Sequence, residues 1–176
     1  MTSSKKILLP LATALAAGAI AVGSGATFTS TSANSLSAVT SGTLSQSNSK
    51  DNAAIFNLTN IKPGDTVNGA LTIRNTGSLP ATFSLTETAS TNGFAGSALT
   101  LVVTNTTTDT TVYSGTFGGL VDGTKNDLGL IAPGASNNFA FSVKLAADAP
   151  NSQQGKTASA SYTWDSIQSD ATTTNQ

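Results

Sequence analysis

Residues 138–145 read Asn-Phe-Ala-Phe-Ser-Val-Lys-Leu, and this stretch decides the fold class. Every second side chain from Phe139 to Leu145 is large and apolar, whereas Ser142 and Lys144 lie on the opposite parity. Strict alternation of this kind is the pattern of a β-strand that buries one face. The stretch therefore predicts a strand of an antiparallel sheet, because such sheets pack one face on the core and leave the other in water.

The same alternation recurs outward from this stretch in both directions. Four further runs show it clearly and three short segments show it weakly. The clear runs are 67–73, 79–85, 99–103 and 158–164, and the weak segments are 54–58, 111–114 and 128–131. Many short strands of this kind predict an all-β fold, an antiparallel β-sandwich of jelly-roll type.

Turn-forming residues separate the runs and support this division. Gly, Pro, Asn and Asp favour turns because their backbones or short side chains suit turn geometry. Such residues stand at 63–65, 75–77, 92–93, 122–123 and 133–134. After the first 26 residues, no window of helical length shows a 3.6-residue period.

The first 26 residues have the layout of a helical secretory signal peptide. Lys5 and Lys6 precede an unbroken apolar run over residues 7–22, and small residues follow it. The apolar run is short for a membrane span. We expect cleavage between Ala26 and Thr27, and an uncleaved N-terminal anchor is the alternative.

Three segments are predicted beyond this cleavage site. A Ser/Thr-rich arm covers 27–35, the sandwich covers 36–165, with Leu36 and Val39 assigned to its core, and 166–176 form a flexible polar tail. The arm is a candidate donor strand for another copy of the chain. Its residues are Thr27, Phe28, Thr29, Ser30, Thr31, Ser32, Ala33, Asn34 and Ser35.

The composition excludes several classes of function. The sequence contains no Cys and no His, so neither a Ser-His-Asp triad nor a thiolate or His zinc site can be built. We therefore expect no catalytic residue, no cofactor and no metal. Without Lys5 and Lys6, six basic residues stand against nine acidic ones, which argues against nucleic acid as a partner.

Glu87, the only glutamate, follows the inward parity of the run 79–85. A buried carboxylate beside a Lys and an Asn would promote an intramolecular isopeptide bond. The interpretation that we favour is that the strand ends before Glu87.

Two other groups of residues have a functional and a structural interpretation. Asp122, Asn126 and Asp127 would offer oxygen ligands to Ca²⁺, but no complete calcium-loop pattern is present, so a solvated turn is favoured. Tyr162 and Trp164 share one parity, which favours a place in the core over a sugar-binding platform.

A series of short motifs resembles the TasA/camelysin family of secreted bacterial matrix proteins. The resemblance covers the first half of the chain and the last strand, and residues 88–150 have no counterpart in it. The motifs are Thr27-Phe28 behind the signal peptide, Ser41-Gly42-Thr43-Leu44, Asn60-Ile61-Lys62-Pro63-Gly64-Asp65, Asn75-Thr76-Gly77-Ser78-Leu79, Gln154-Gly155 and Ser161-Tyr162-Thr163-Trp164. Within them, Lys62, Pro63, Gly64, Asp65, Asn75 and Gly77 form the family-motif turns.

The resemblance implies a structural subunit of extracellular fibres in a biofilm matrix or on a cell surface. It implies export through a dedicated signal peptidase and polymerisation by donor-strand exchange. In this mechanism the arm of one copy, with Phe28 as its anchor, completes a sheet of the next copy in a head-to-tail filament. The alternative interpretation of Phe28 is a cleavage-site residue or a plug in its own core.

Two other functions remain open. One is a monomeric secreted adhesin or ligand-binding sandwich that uses loops near Asn92, Asp122 or Asn151. The other is a camelysin-like secreted metallopeptidase, which the lack of His disfavours because carboxylates alone make a poor zinc site. In none of these cases do we expect the mature chain to stay in a membrane.

Overall fold

The computed structural model describes residues 41–57 and 60–170. They form eight β-strands and one 3-10 helix, Asn151–Gln153. The strands are β1 (Gln46–Asn48), β2 (Thr66–Asn75), β3 (Ala81–Asn92), β4 (Leu99–Asn105), β5 (Thr110–Thr116), β6 (Lys125–Ile131), β7 (Ser136–Leu145) and β8 (Ala158–Gln168). The predicted signal peptide, its cleavage site, the arm, Leu36, Val39 and the last six residues of the tail lie outside the described residues.

The strands form two antiparallel sheets that pack as a β-sandwich, so the predicted fold class is confirmed. The larger sheet has the order β1-β2-β7-β4-β5 and the smaller one has the order β6-β3-β8. Leu71 of β2 stands opposite Phe139 of β7, and Val103 of β4 stands opposite Phe141. The stretch that opened the sequence analysis is therefore the central strand of the larger sheet.

The core lies between the sheets and consists of the side chains on the inward parity of each run. Phe83, Leu85, Leu101 and Phe141 have no exposed surface. Each buried side chain of this size contributes about 1.5–3 kcal/mol relative to an exposed one. A core built in this way explains how a domain without disulfides is stable.

Several strand boundaries differ from the predictions. β3 begins at Ala81 and continues to Asn92, so the interpretation that it ends before Glu87 is wrong. β8 continues to Gln168, which places the end of the sandwich at least three residues beyond 165 and shortens the predicted tail. The weak segments 111–114 and 128–131 are confirmed within β5 and β6.

The weak segment 54–58 is the one predicted strand that fails over its described part. Residues 54–57 run without regular secondary structure, and Leu58 lies outside the described residues. This segment lies close to β2 instead of pairing in a sheet. A Cβ added at Gly69 would collide with the carbonyl oxygen of Ile55, so the absence of a side chain there makes room for the loop.

The sandwich has two distinct ends. Ala81 stands opposite Gln168 at one end, which also holds the turns on either side of Pro80 and Pro133 and is called the Pro80 end. Asn92 stands opposite Ala158 at the other, which holds Phe94 and is called the Phe94 end. The described chain begins at the Pro80 end, because Thr43 bonds there to Ser78.

Candidate assembly site

Strand β8 forms an edge of the smaller sheet. Its residues pair with β3 on one side, and no described strand pairs with the other. On the β3 side, the carbonyl oxygen of Ser161 accepts a 3.2 Å hydrogen bond from the Thr88 hydroxyl. On the open side, the carbonyl oxygen of Trp164 accepts a 2.6 Å hydrogen bond from the Gln46 side-chain amide. The main-chain N–H and C=O groups alternate in direction from one residue of a strand to the next. Those of the even-numbered residues of β8 therefore point to the open side.

A groove of about 520 Å³ runs along this open side between β8 and β1. Its floor is aromatic. The Trp164 ring lies 4.9 Å from that of Phe139, the Tyr162 ring lies 5.5 Å from that of Phe141, and both Trp164 and Tyr162 are half-buried. The favoured prediction of a core position for these two side chains therefore agrees with their packing, and their partial exposure also gives the groove its apolar floor.

The segment 50–56 forms the far wall of the groove. Its Phe56 ring packs edge-on against Phe117 at 6.0 Å and tilts towards Phe141 at 6.1 Å. Residues 50–52 of this wall are polar and include Lys50 and Asp51, whereas residues 53–55 are apolar. Apart from the Gln46 bond to Trp164, neither this irregular segment nor the three-residue strand β1 pairs along the edge of β8.

The turn 75–79 holds the first described residues in place. The main-chain nitrogen of Thr43 donates to the Ser78 hydroxyl at 2.9 Å, and the nitrogen of Ser78 donates back to the Thr43 carbonyl at 2.9 Å. The nitrogens of Thr76 and Gly77 donate to the Ser45 carbonyl at 3.0 and 3.1 Å. A Cβ at Gly77 would collide with the Thr43 carbonyl, so this motif position requires glycine for close approach.

Asn75 is the buried centre of the same turn. Its side-chain amide donates to the carbonyl oxygens of Leu79 and Ile131 at 2.8 and 2.9 Å, and its side-chain oxygen accepts from the nitrogen of Gly77 at 3.0 Å. A fully buried amide is tolerated because its hydrogen-bonding groups are satisfied. The family-motif turn at Asn75 and Gly77 thus positions residues 43–45.

The other family-motif turn joins Lys62 and Asp65. The Asp65 carboxylate accepts from the Lys62 main-chain nitrogen at 3.0 Å and from its side-chain ammonium at 2.9 Å. These bonds hold the pKa of the Asp65 carboxyl below its usual value. Gly64 has a φ of +90°, where a side chain would be strained, and Pro63 precedes it. These four residues close a turn at the Phe94 end and do not converge with Asn75 or Gly77.

Glu87 has no exposed surface, and neither of its carboxylate oxygens has a hydrogen-bond partner among the described residues. Burial, together with the charge of Asp122, raises the pKa of its carboxyl, while the Ser90 and Tyr162 side chains oppose the shift. None of these three neighbours is a lysine. An isopeptide bond therefore has no amine donor among the side chains that affect Glu87.

The three candidate calcium ligands do not share one solvated turn, because Asn126 and Asp127 lie in β6 and only Asp122 lies in the loop before it. The Asp127 side chain accepts from the nitrogen of Gly129 at 2.8 Å, and the Asn126 amide donates to the carbonyl oxygens of Leu85 and Thr124 at 3.1 Å each. Within residues 41–57 and 60–170, no three His, Cys, Asp or Glu side chains are grouped so that they could hold a metal ion.

The sequence from the predicted signal peptide to the end of β3 matches a known family. A family profile described as camelysin metallo-endopeptidase matches residues 2–92, just over half of the chain. The chain belongs to the camelysin family. The part of this camelysin-family chain that the profile matches includes both motif turns and residues 43–45. No curated protein matches the chain.

Membership in the camelysin family bears on location and on activity. Members of this family are secreted or surface-associated. The part of the chain that the structure describes holds no helix with the length and apolar character to cross a bilayer. The family description names a metallo-endopeptidase, but the described part offers no metal-binding cluster to carry that chemistry.

Sequence reasoning did not identify the groove. Its walls come from β1, the segment 50–56 and β8. These are far apart in the chain, and β1 and β8 meet only because the two sheets pack together. One signal was present in the sequence, namely the pair Tyr162 and Trp164 on a single parity of the last strand. A last strand with half-buried aromatic side chains is compatible with a sheet edge.

Proposed function

We propose that this chain is a structural subunit of extracellular protein fibres. The arm, residues 27–35, of one copy adds as a donor strand to the open edge of β8 in another copy. The single observation that carries this proposal is the side of β8 with which no described strand pairs, above an aromatic floor. An extended peptide gains main-chain hydrogen bonds at such an edge, and its alternate side chains set the register.

The composition of the arm suits this groove. Extended, its nine residues reach about 30 Å, more than the width spanned by the groove-lining residues 160–164 of β8. Phe28 is the arm's one large apolar residue, and Ser30 and Ser32 share its parity. A single ring followed by small side chains fits above a floor that Tyr162 and Trp164 already fill.

The proposal gives a filament instead of a closed pair. The donor and the acceptor are different surfaces of one molecule, and a contact of that kind repeats from copy to copy. The described chain begins at the Pro80 end, where Thr43 bonds to Ser78. In the proposed filament the arm that precedes it in the sequence is supplied to the groove of a neighbour.

We further propose that the protein is not an enzyme, despite the family description. This rests on the chemistry of the whole sequence, which offers neither His nor Cys as zinc ligands. Digestion of casein by the purified protein, with and without a chelator, tests this part. Chelator-sensitive cleavage would overturn it.

The fibre proposal is tested by negative-stain electron microscopy of two chains, one beginning at Thr27 and one at Leu36. We expect filaments only from the first. Filaments from both chains would keep the structural role and discard the arm. Monomers from both, also at high concentration, would favour the monomeric adhesin.

A matched pair of point variants separates the anchor from the rest of the arm. Phe28→Ala removes the ring and Thr29→Ala removes a hydroxyl on the opposite parity. We expect the first to abolish filaments and the second to preserve them. Equal filament formation by the two variants would exclude Phe28 as the anchor.

A further inference from the structure

The Phe94 end of the sandwich contains a second concave surface, of about 830 Å³. Polar and apolar residues line it in about equal measure: Ile61, Phe94 and Pro150 form apolar parts of the wall, and the side chain of Lys156 lies exposed at its rim. The buried Gln153 accepts a 2.9 Å hydrogen bond from the nitrogen of Ala95, which ties the two sides of the cavity together. The cavity is therefore a built feature of this end.

The opposite, Pro80 end exposes large apolar side chains. Leu130 of β6 and Ile167 of β8 are 61% and 59% exposed, and both stand opposite Thr82 of β3. They flank one residue on the outer face of the smaller sheet, where the other side chains of β8 are Ser, Thr and Asp. Leu44 is 43% exposed at the same end. Exposed apolar groups gathered at one place mark an interaction surface.

We propose that this apolar surface, formed by Leu44, Leu130 and Ile167, docks into the Phe94-end cavity of a second copy of the chain. The proposal rests on the proposed fibre function, for which it supplies the contact between folded domains. It is distinct from the donor strand, which joins an arm to β8.

Charge on the two surfaces favours a second copy as the occupant. Among the described residues, Lys62 is paired with Asp65, whereas Lys156 at the cavity rim makes no ion pair. Asp170 lies beside the apolar surface, because Ser169 bonds to the carbonyl oxygen of Pro80 at 3.2 Å. Docking would bring Asp170 of one copy towards Lys156 of the next.

The path of the chain supplies an independent argument. Thr43, near the start of the described chain, lies at the Pro80 end, where the turn 75–79 holds it. A copy docked at that end presents its own Phe94 end to this chain, and its groove begins at Ala160, two residues along β8 from Ala158 of the cavity. The arm would enter with its N-terminus leading, and it would therefore run antiparallel to β8.

The test uses cysteine trapping, because the natural sequence has no Cys to interfere. Ile167→Cys and Lys156→Cys are prepared separately in the chain that begins at Thr27, mixed, and treated with a short bis-maleimide. We expect cross-linked dimers in the mixture in clear excess over either variant alone. Thr163→Cys, at an exposed site in the middle of β8, replaces Ile167→Cys in the matched control mixture.

Charge exchange gives a second readout that needs no added cysteine chemistry. Lys156→Asp or Asp170→Lys alone should weaken association about two- to fivefold, the range of an exposed ion pair. The double variant should recover most of this loss, as measured by sedimentation of the assembled fraction.

The outcomes separate this inference from the proposed function. Filaments in the absence of specific cross-linking would overturn the docking contact and leave the fibre proposal standing. Specific cross-linked dimers without filaments would support the contact and overturn the fibre proposal. Equal cross-linking in the test and control mixtures would also overturn the contact.

Discussion

Glu87 stands opposite Tyr162 across strands β3 and β8, and the oxygens at both side-chain ends are buried without a hydrogen-bond partner in the described part of the chain. Burial is the main cause that raises the pKa of each group. The pair lies beneath the groove, since Tyr162 also contributes to the groove floor. The protein thus keeps its only glutamate at a place where its charge is costly.

We predict that the stability of the fold decreases as pH rises. The pKa of Glu87 in the folded state lies above its ordinary value of 4.5, so the folded state holds this proton more tightly than the unfolded state. The free energy of unfolding therefore falls from about pH 4.5 upward, until the raised pKa has been passed. Glu87→Gln should remove this decrease, as urea denaturation of both proteins across that range will show. An equal decrease in the variant would assign it to another group.

Asp65 gives the free energy of unfolding a pH dependence of the opposite sign. Its folded-state pKa is lowered, so its stabilising effect is lost as pH falls through that pKa. The Asp65 side chain is 32% exposed and that of its partner Lys62 is 80% exposed, so we expect this effect to be small. The difference between the free energies of unfolding of the natural protein and of Glu87→Gln, taken at each pH, cancels the Asp65 contribution, since the variant keeps Asp65.

Proline substitutions at neighbouring positions of β8 should have opposite effects. Ala160→Pro removes an N–H that faces the open side, where an edge strand tolerates proline. The affinity of each fibre junction should fall at least about fivefold, because a hydrogen bond of about 1 kcal/mol is lost. The fold itself should survive. Ser161→Pro removes an N–H on the β3 side and should cost the fold itself about 1–3 kcal/mol.

Filament counts and thermal unfolding, measured on both proline variants, check this prediction. Normal filaments from a folded Ala160→Pro protein would show that the open side of β8 is not the acceptor. A fully stable Ser161→Pro protein would show that the direction assigned to the β8 main chain is wrong.

Gly77→Ala should loosen the attachment of residues 43–45 to the turn 75–79. Its Cβ would collide with the Thr43 carbonyl and crowd the Ser45 nitrogen, so the segment 43–45 must move away from the turn. Overpacking of this kind costs about 1–3 kcal/mol. Hydrogen exchange should show faster exchange at Ser78, whose nitrogen donates to Thr43.

Gly123→Ala is the matched control for this variant. Gly123 has a φ of +77° but open space around its Cβ position, so its substitution strains only the backbone locally. If both variants changed exchange at Ser78 equally, the close approach at Gly77 would not be the reason for glycine in the motif.

Gly69→Ala should displace the far wall of the groove. The added methyl group would collide with the Ile55 carbonyl, and the loop would carry Phe56 away from Phe117 and Phe141. We expect a loss of about 1–3 kcal/mol in the free energy of unfolding. Ala70→Ser, on the exposed face of the same strand, should change it by no more than about 0.5 kcal/mol. Similar losses in both variants would contradict the role given to Gly69.

The strands that sequence reasoning found are those in which every second residue is large and apolar, such as β7. It failed at residues 86–92 of β3, where Thr, Ser, Ala and Asn hide the alternation. The strand persists there because β8 pairs with it to its last residue, Asn92. That pairing joins residues about seventy positions apart, which a local pattern does not register.

The opposite error occurred at residues 54–57, where apolar residues imitate a strand. Ile55 packs against Gly69, and the ring of Phe56 packs against those of Phe117 and Phe141. No described strand pairs with either residue. Their role depends on contacts between distant segments. The groove and the two ends of the sandwich are also built from distant segments. They could therefore be recognised only once the arrangement of the strands was known.

The attachment of residues 43–48 to the rest of the domain also determines how the molecule bears mechanical load. These residues bond along the 75–79 turn and along β2, whose Asn75, Arg74 and Ile73 stand opposite β1. A pull on Gly42 directed away from the Pro80 end runs parallel to this ladder, so its hydrogen bonds are strained together in shear and not opened one after another. A domain without a single disulfide is thus anchored at its N-terminal side in the geometry that best resists tension.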